Sequence, residues 1–168
     1  LLTIHPETIN FEKNESHCKQ ICGSIHELSK DYQILISLPN ADTNGSVFRN
    51  AFEEISSVHK NILTIENLGT KSYFSALKMC EIVVGNSSSG IIEAATFGKY
   101  VINIGNRQKN RVCSDNTFHV KFDKVDIVKK IRDHIGKKYH GKNIYEKKNG
   151  VSKIIKKLKN IELYSAEL

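Results

Sequence analysis

Long apolar runs are missing from this sequence. No stretch approaches the ~20 residues that a membrane-spanning helix needs, so helical membrane classes are set aside. No basic leader precedes the first apolar residues. The chain opens LLTIHPET, already strand-like, so no secretory signal is read there, and the abrupt opening reads as cut from a longer polypeptide. The four cysteines, Cys18, Cys22, Cys80 and Cys113, form no CxxC pair and no metal spacing with histidine. Cys18 and Cys22, one helical turn apart, read as free thiols on a buried helix face in a cytoplasmic protein. Neither GxGxxG nor GxxxxGKS/T occurs, which removes the dinucleotide fingerprint and the P-loop. Tryptophan is absent too, yet 39% of the 168 residues are hydrophobic, enough for one soluble domain to bury a core.

Acidic residues run short only near the end. The formal charge is +7, but residues 1–120 carry 11 basic and 12 acidic groups against 14 and 6 in residues 121–168. The excess falls in segments such as KKIRDHIGKK and SKIIKKLKN. A basic cluster can bind nucleic acid or an anionic surface. Here no aromatic platform or recognition motif accompanies the lysines, and the reading favoured is a pair of amphipathic helices with solvated lysine faces. Neither nucleic acid nor membrane is therefore expected as a partner.

What is present alternates. Short β-branched and apolar runs predict strands at 1–5, 32–38, 62–65, 82–84, 100–104 and 117–122. Helical spacing predicts helices at 10–30, 46–60, 70–80, 90–97, 126–139 and 151–161. Such alternation implies parallel pairing through right-handed crossovers. The expected fold is a single α/β domain, a three-layer α/β/α Rossmann-like sandwich with a parallel sheet of about six strands. Ligands in these sheets bind beyond the strand C-termini, where strand order reverses. His5, Asn40, Asn86 and Gly105 all fall at or just after strand ends, so chemically eligible groups gather on one edge.

The densest signal lies in residues 81–116, EIVVGNSSSGIIEAATFGKYVINIGNRQKNRVCSDN. A buried strand ends at Gly85, three serines supply a turn and an N-cap, and the helix that follows closes at Gly98. A second strand then leads into a loop bearing Arg107, Lys109 and Arg111. Backbone N–H groups at a helix start favour a phosphate, and arginines supply forked, permanently charged donors beside it. The competing reading of Ser87 and Ser88 is plain N-capping. That of Glu93, expected in the first or second turn, is favourable placement near the helix dipole. Arg107 and Arg111 could equally be a solvated basic loop, Tyr73 a core aromatic, and His5 a structural histidine.

GNSSSGIIEAATFG followed by VINIGNRQKNR, with HPET at the start and PNAD in the first third, resembles the second domain of the UDP-N-acetylglucosamine 2-epimerases, particularly the hydrolysing branch of sialic acid biosynthesis. The resemblance covers the whole chain and implies one half of a glycosyltransferase-B architecture, with a catalytic N-terminal partner domain outside this chain. It implies that Ser87 and Ser88 contact UDP and that Glu93 accepts two hydrogen bonds from the ribose. By the same likeness, one or both of Arg107 and Arg111 neutralise the departing diphosphate. Asn40 would be a cleft contact, Tyr73 a contact to uracil, and His5 a catalytic group near the diphosphate. The chain departs from the family's GDRQKGR in having Asn106 and Asn110.

The implied reaction on UDP-N-acetylglucosamine is C2 deprotonation, elimination of UDP and addition of water to give N-acetylmannosamine. No cofactor or metal is expected, and the full-length protein is expected to be a homo-oligomer. The alternative is the nucleotide-sugar domain of a glycosyltransferase with the same architecture. The chain alone is expected to bind nucleotide but turn nothing over.

Overall fold

The structure, a computed structural model, describes residues 1–8, 11–39 and 45–161. Six short strands, β1 (Leu2–Thr3), β2 (Ile34–Ser37), β3 (Ile62–Ile65), β4 (Val83–Gly85), β5 (Val101–Ile104) and β6 (Thr117–Val120), form one sheet. Their order is β3-β2-β1-β4-β5-β6, and every pairing is parallel. The chain builds outward from β1 to β3, then returns to β4 and builds the other way. Strand order therefore reverses between β1 and β4, which places a crevice beyond their C-terminal ends.

Helices α1 (Asn14–Leu28), α2 (Gly45–Val58) and α5 (Lys124–His134) cover one face of the sheet. Their apolar stripes bury Cys18, Ile21, Ile25, Phe48, Phe52, Ile127, Val128 and Ile131 against Ile4, Ile36, Ile102 and Ile104. Phe48 and Phe52 are wholly buried, and each such side chain contributes roughly 1.5–3 kcal/mol. Helices α3 (Gly69–Met79) and α4 (Ser88–Ile92) take the other face, where Leu77 and Ala94 pack on Val83 and Val101. β4 and β5, covered on both sides, are buried at every position. That is why their sequences are dominated by Val and Ile rather than alternating, with Asn103 the polar exception. The six-stranded parallel sheet between two helical layers is the expected one.

Two helices differ from expectation. The one expected over 90–97 begins earlier, because Ser87 already acts as N-cap and its side-chain oxygen accepts the Ser89 amide at 3.4 Å. It then breaks into a 3₁₀ turn, Ala94–Phe97, before Gly98 closes it in the left-handed conformation. The helix expected over 126–139 starts at Lys124, since the Asp123 carboxylate accepts the Asp126 amide at 2.9 Å. It ends at His134, where Ile135 turns to an extended conformation as C-cap and Gly136 takes φ 77°. The chain then runs back as an irregular strap. Tyr139 donates its amide to the Gly98 carbonyl at 2.9 Å, and Asn143 donates to the Ile92 carbonyl at 2.9 Å.

The basic excess divides between two settings. In α5, Arg132 pairs with Glu27 at 3.3 Å and Asp31 at 3.2 Å, and Lys124 pairs with Glu27 at 2.9 Å. These are partly exposed pairs of small energetic value. Helix α6 (Gly150–Lys159) is exposed throughout, its Val151, Ile154, Ile155 and Leu158 included. No described helix is long and apolar enough to cross a membrane.

Candidate functional site

Beyond the last residues of β1 and β4 the ladder continues through a side chain. Asn86 is fully buried; its Oδ1 accepts the His5 amide at 2.8 Å and its Nδ2 donates to the His5 carbonyl at 2.8 Å. Only a carboxamide carries both functions in one planar group. It stands in for a peptide unit and fixes the His5 backbone at the mouth of the crevice. Gly85, just before it, has φ 134°, and a Cβ there would lie 1.9 Å from the Thr3 carbonyl oxygen. No side chain fits where the two strands pair this closely.

The loop after β5 brings in a third strand end. Arg107 Nη1 donates to the Asn86 carbonyl at 3.0 Å, and Gln108 Nε2 donates to the same oxygen at 2.8 Å. Gln108 is buried, and its own Oε1 has no hydrogen-bond partner among the described residues. Glu7, buried in the turn after β1, accepts the Asn106 amide at 2.6 Å. Asn110 takes φ 69°, a left-handed conformation that asparagine tolerates better than most residues, so the loop turns there without glycine. Arg111 lies beyond, exposed, with its amide donating to the Gln108 carbonyl at 3.2 Å. Among the described residues its guanidinium makes no hydrogen bond or ion pair, so Arg107, not Arg111, is the arginine that meets Asn86. Cys113 donates its thiol to the Arg111 carbonyl at 3.3 Å, and burial pushes that thiol above its ordinary pKa, so it stays protonated at neutral pH.

The first turn of α4 forms the opposite wall. Ser87 is engaged as N-cap, and Ser88, the first helical residue, has an amide without an intrahelical acceptor. The Ser89 hydroxyl bonds to that of Tyr73, which reaches across from α3. Burial pushes the Tyr73 phenol up; the Ser89 bond works against that shift and the nearby Glu93 carboxylate works with it. Glu93 does not lie within a continuous helix. It sits at the junction of α4 and the 3₁₀ turn, φ −111°, as C-cap of the first and N-cap of the second. A carboxylate at the end of α4 gains nothing from that helix's dipole, and as N-cap of the 3₁₀ turn its side chain makes no capping hydrogen bond. The early start of α4 causes this shift in position.

The structure thus brings His5, Ser87, Ser88 and Arg107 to one crevice, with Tyr73 and Glu93 on the flank of α4. Asn40 lies outside the described residues. Sequence reasoning missed Asn86 as a hub, together with Glu7 and Gln108. Asn86 stands at a strand end in a run of small polar residues that already reads as a turn, and nothing in periodicity separates a clamp from a turn residue. The arrangement offers imidazole, guanidinium and backbone amides to an anion, and a carboxylate and phenol to neutral hydroxyls. Among the described residues there is no group of three or more His, Cys, Asp or Glu that could hold a metal ion.

The family model described as UDP-N-acetylglucosamine 2-epimerase matches residues 1–159. The chain is 34% identical over 166 residues to the UDP-N,N'-diacetylbacillosamine 2-epimerase (hydrolyzing) of Legionella pneumophila, covering 98% of this chain and 43% of that protein. It is 33% identical over 128 residues to the GDP/UDP-N,N'-diacetylbacillosamine 2-epimerase (hydrolyzing) of Campylobacter jejuni, covering 75% of this chain and 33% of that one. Among solved structures, the UDP-GlcNAc 2-epimerase of Methanocaldococcus jannaschii in complex with UDP-GlcNAc and UDP superposes with a TM-score of 0.72. The identity is 19%, and the match covers 94% of this chain and 44% of that one. At that identity the likeness speaks for the fold. The chain spans less than half the length of each of these relatives.

Proposed function

The chain belongs to the UDP-N-acetylglucosamine 2-epimerase family, and from that premise we propose that it is the UDP-binding half of a hydrolysing UDP-2-acetamido-sugar 2-epimerase. The observation that carries the reading is the meeting of three strand ends, at His5, Asn86 and Arg107, on the β1/β4 reversal. The diphosphate lies across the start of α4 beside Ser87, Ser88 and Arg107, with Arg111 on the same loop. Glu93 accepts the ribose hydroxyls and Tyr73 borders the uracil. Asn40 is a further cleft contact.

In this reaction a base removes the proton on C2, the C1–oxygen bond breaks, and UDP departs with the bonding pair. A 2-acetamidoglycal remains, and water adds across its double bond to give the C2-epimeric free sugar. Donors aimed at the departing diphosphate stabilise the charge that develops there. His5 supplies one such donor and can pass a proton to the leaving oxygen. The C2 base and the group that activates water belong to an N-terminal domain of the same polypeptide. The protein works in the cytoplasm, where nucleotide sugars are found, and is a homo-oligomer.

The sugar is either N-acetylglucosamine, giving N-acetylmannosamine for sialic acid synthesis, or the N,N'-diacetylbacillosamine named for the relatives at 33% and 34% identity. Incubating the full-length protein with each UDP-sugar, with and without an acceptor, tests the reading. Free C2-epimerised sugar and UDP are expected without acceptor. A product in which the sugar is joined to the acceptor points instead to a glycosyltransferase.

A further inference from the structure

We propose that Glu7 is a positioning residue for the nucleotide site, a buried carboxylate that sets the course of the basic loop after β5 and couples it to His5. The inference rests on the reading that this crevice holds UDP. Glu7 is 6% exposed, and its own backbone is fixed on both sides. Its amide donates to Asn14 Oδ1 at 3.1 Å, and its carbonyl accepts from Asn14 Nδ2 at 3.1 Å. Asn14, the first residue of α1, is itself buried. Asn86 grips His5 by the same device two residues earlier. With residues 5 and 7 both held by carboxamides, the turn between β1 and α1 has little freedom left.

From that fixed base the Glu7 side chain reaches the other loop. Its Oε1 takes the Asn106 amide at 2.6 Å, a short contact of the charge-assisted kind. Gly105, at φ 75°, leaves the room for it, since a Cβ there would lie 2.6 Å from that oxygen and 2.3 Å from the Phe122 ring. The next two residues are Arg107 and Gln108, whose donors converge on the Asn86 carbonyl. The Asn86 side chain then returns to His5. A closed circuit of hydrogen bonds therefore runs from Glu7 to Asn106, along the loop to Asn86, and back to His5.

The energetics favour a positional role over a merely structural one. Burying a carboxylate is costly, and the one hydrogen bond its oxygen is shown to accept is from the Asn106 amide. What the carboxylate adds is one fixed direction for the peptide that precedes Arg107. A guanidinium on a loop held this way is oriented before ligand arrives, which spares the ordering cost of binding.

A double-mutant cycle on UDP affinity tests the proposal, comparing wild type, Glu7→Ala, Arg107→Ala and the pair by calorimetry. Each single variant is expected to weaken UDP about tenfold, with the pair losing no more than about twofold beyond the weaker single. Glu7→Gln, which keeps an oxygen acceptor without the charge, should lose only about threefold. A loss under about twofold in Glu7→Ala, or losses that multiply in the pair, would overturn the proposal. If Glu7→Ala does not fold, the cycle is run with Glu7→Gln, where a loss of about threefold that fails to multiply with Arg107→Ala is the supporting result. Amide exchange without ligand supplies a separate readout. Residues 106–108 should exchange faster in the Glu7 variant while β4 and β5 do not, and unchanged exchange overturns the coupling. Wild type that does not bind UDP, with the exchange effect intact, overturns the nucleotide reading and leaves the loop coupling standing.

Discussion

Asn86 and His5 are 81 residues apart in sequence and bonded at both ends of one carboxamide, 2.8 Å each way. The pair extends the β1–β4 ladder by one unit past the strands, at the residue we propose as proton donor to the leaving diphosphate. Asn86→Asp keeps the acceptor but sets a carboxylate oxygen against the His5 carbonyl in a site closed to water. We expect it to lose about 2–4 kcal/mol of stability, read from urea denaturation. A loss below about 0.5 kcal/mol would show the clamp to be dispensable.

Gly85 gives a sharper steric test. Gly85→Ala forces a Cβ to within 1.9 Å of backbone oxygen at φ 134°, so the two central strands must separate. The expected outcome is a loss above about 3 kcal/mol, or no soluble protein at all. Near-wild-type stability would mean that β1 and β4 do not approach as described.

Glu93 separates ligand binding from folding. It stands at the junction of α4 and the 3₁₀ turn and its side chain makes no capping hydrogen bond there, so Glu93→Ala should leave the unfolding midpoint almost unchanged. UDP affinity should fall by ~1–3 kcal/mol if the carboxylate holds ribose hydroxyls. Reversal of that pattern, lost stability with intact binding, would assign Glu93 to the fold.

His17 predicts a pH dependence. Its ring stacks on Phe122 with centroids 3.8 Å apart, its Nδ1 is buried without a partner among the described residues, and burial lowers its pKa from the ordinary 6.5. A depressed histidine binds its proton more readily in the unfolded chain. The contribution of His17 is therefore full above pH ~6.5 and is lost as pH falls through the folded value. Between pH 7.5 and 5, wild type should lose more stability than His17→Phe. Parallel curves would mean that His17 titrates alike in both states.

Much of this was legible in the sequence, and the shortfalls have physical causes. Apolar runs such as Ile82-Val83-Val84 and the residues of β5 announce buried parallel strands, because burial on both faces leaves one kind of residue at nearly every position. Gly98 announces its helix end for a similarly local reason. The start of α4 was misread because any of three consecutive serines can cap a helix, and two residues decide where Glu93 falls. The circuit through Glu7, Asn86 and Gln108 left no trace, since its bonds join residues up to 99 apart in the chain. Periodicity carries no information about contacts of that kind.

Calorimetric titration of this chain with UDP and with uridine tests the central claim most directly. If the diphosphate lies at the β1/β4 crevice, UDP binds at least about tenfold more tightly than uridine, and Arg107→Ala removes most of the difference. Equal affinities for UDP and uridine, or a preference for UDP that Arg107→Ala leaves intact, would contradict the account.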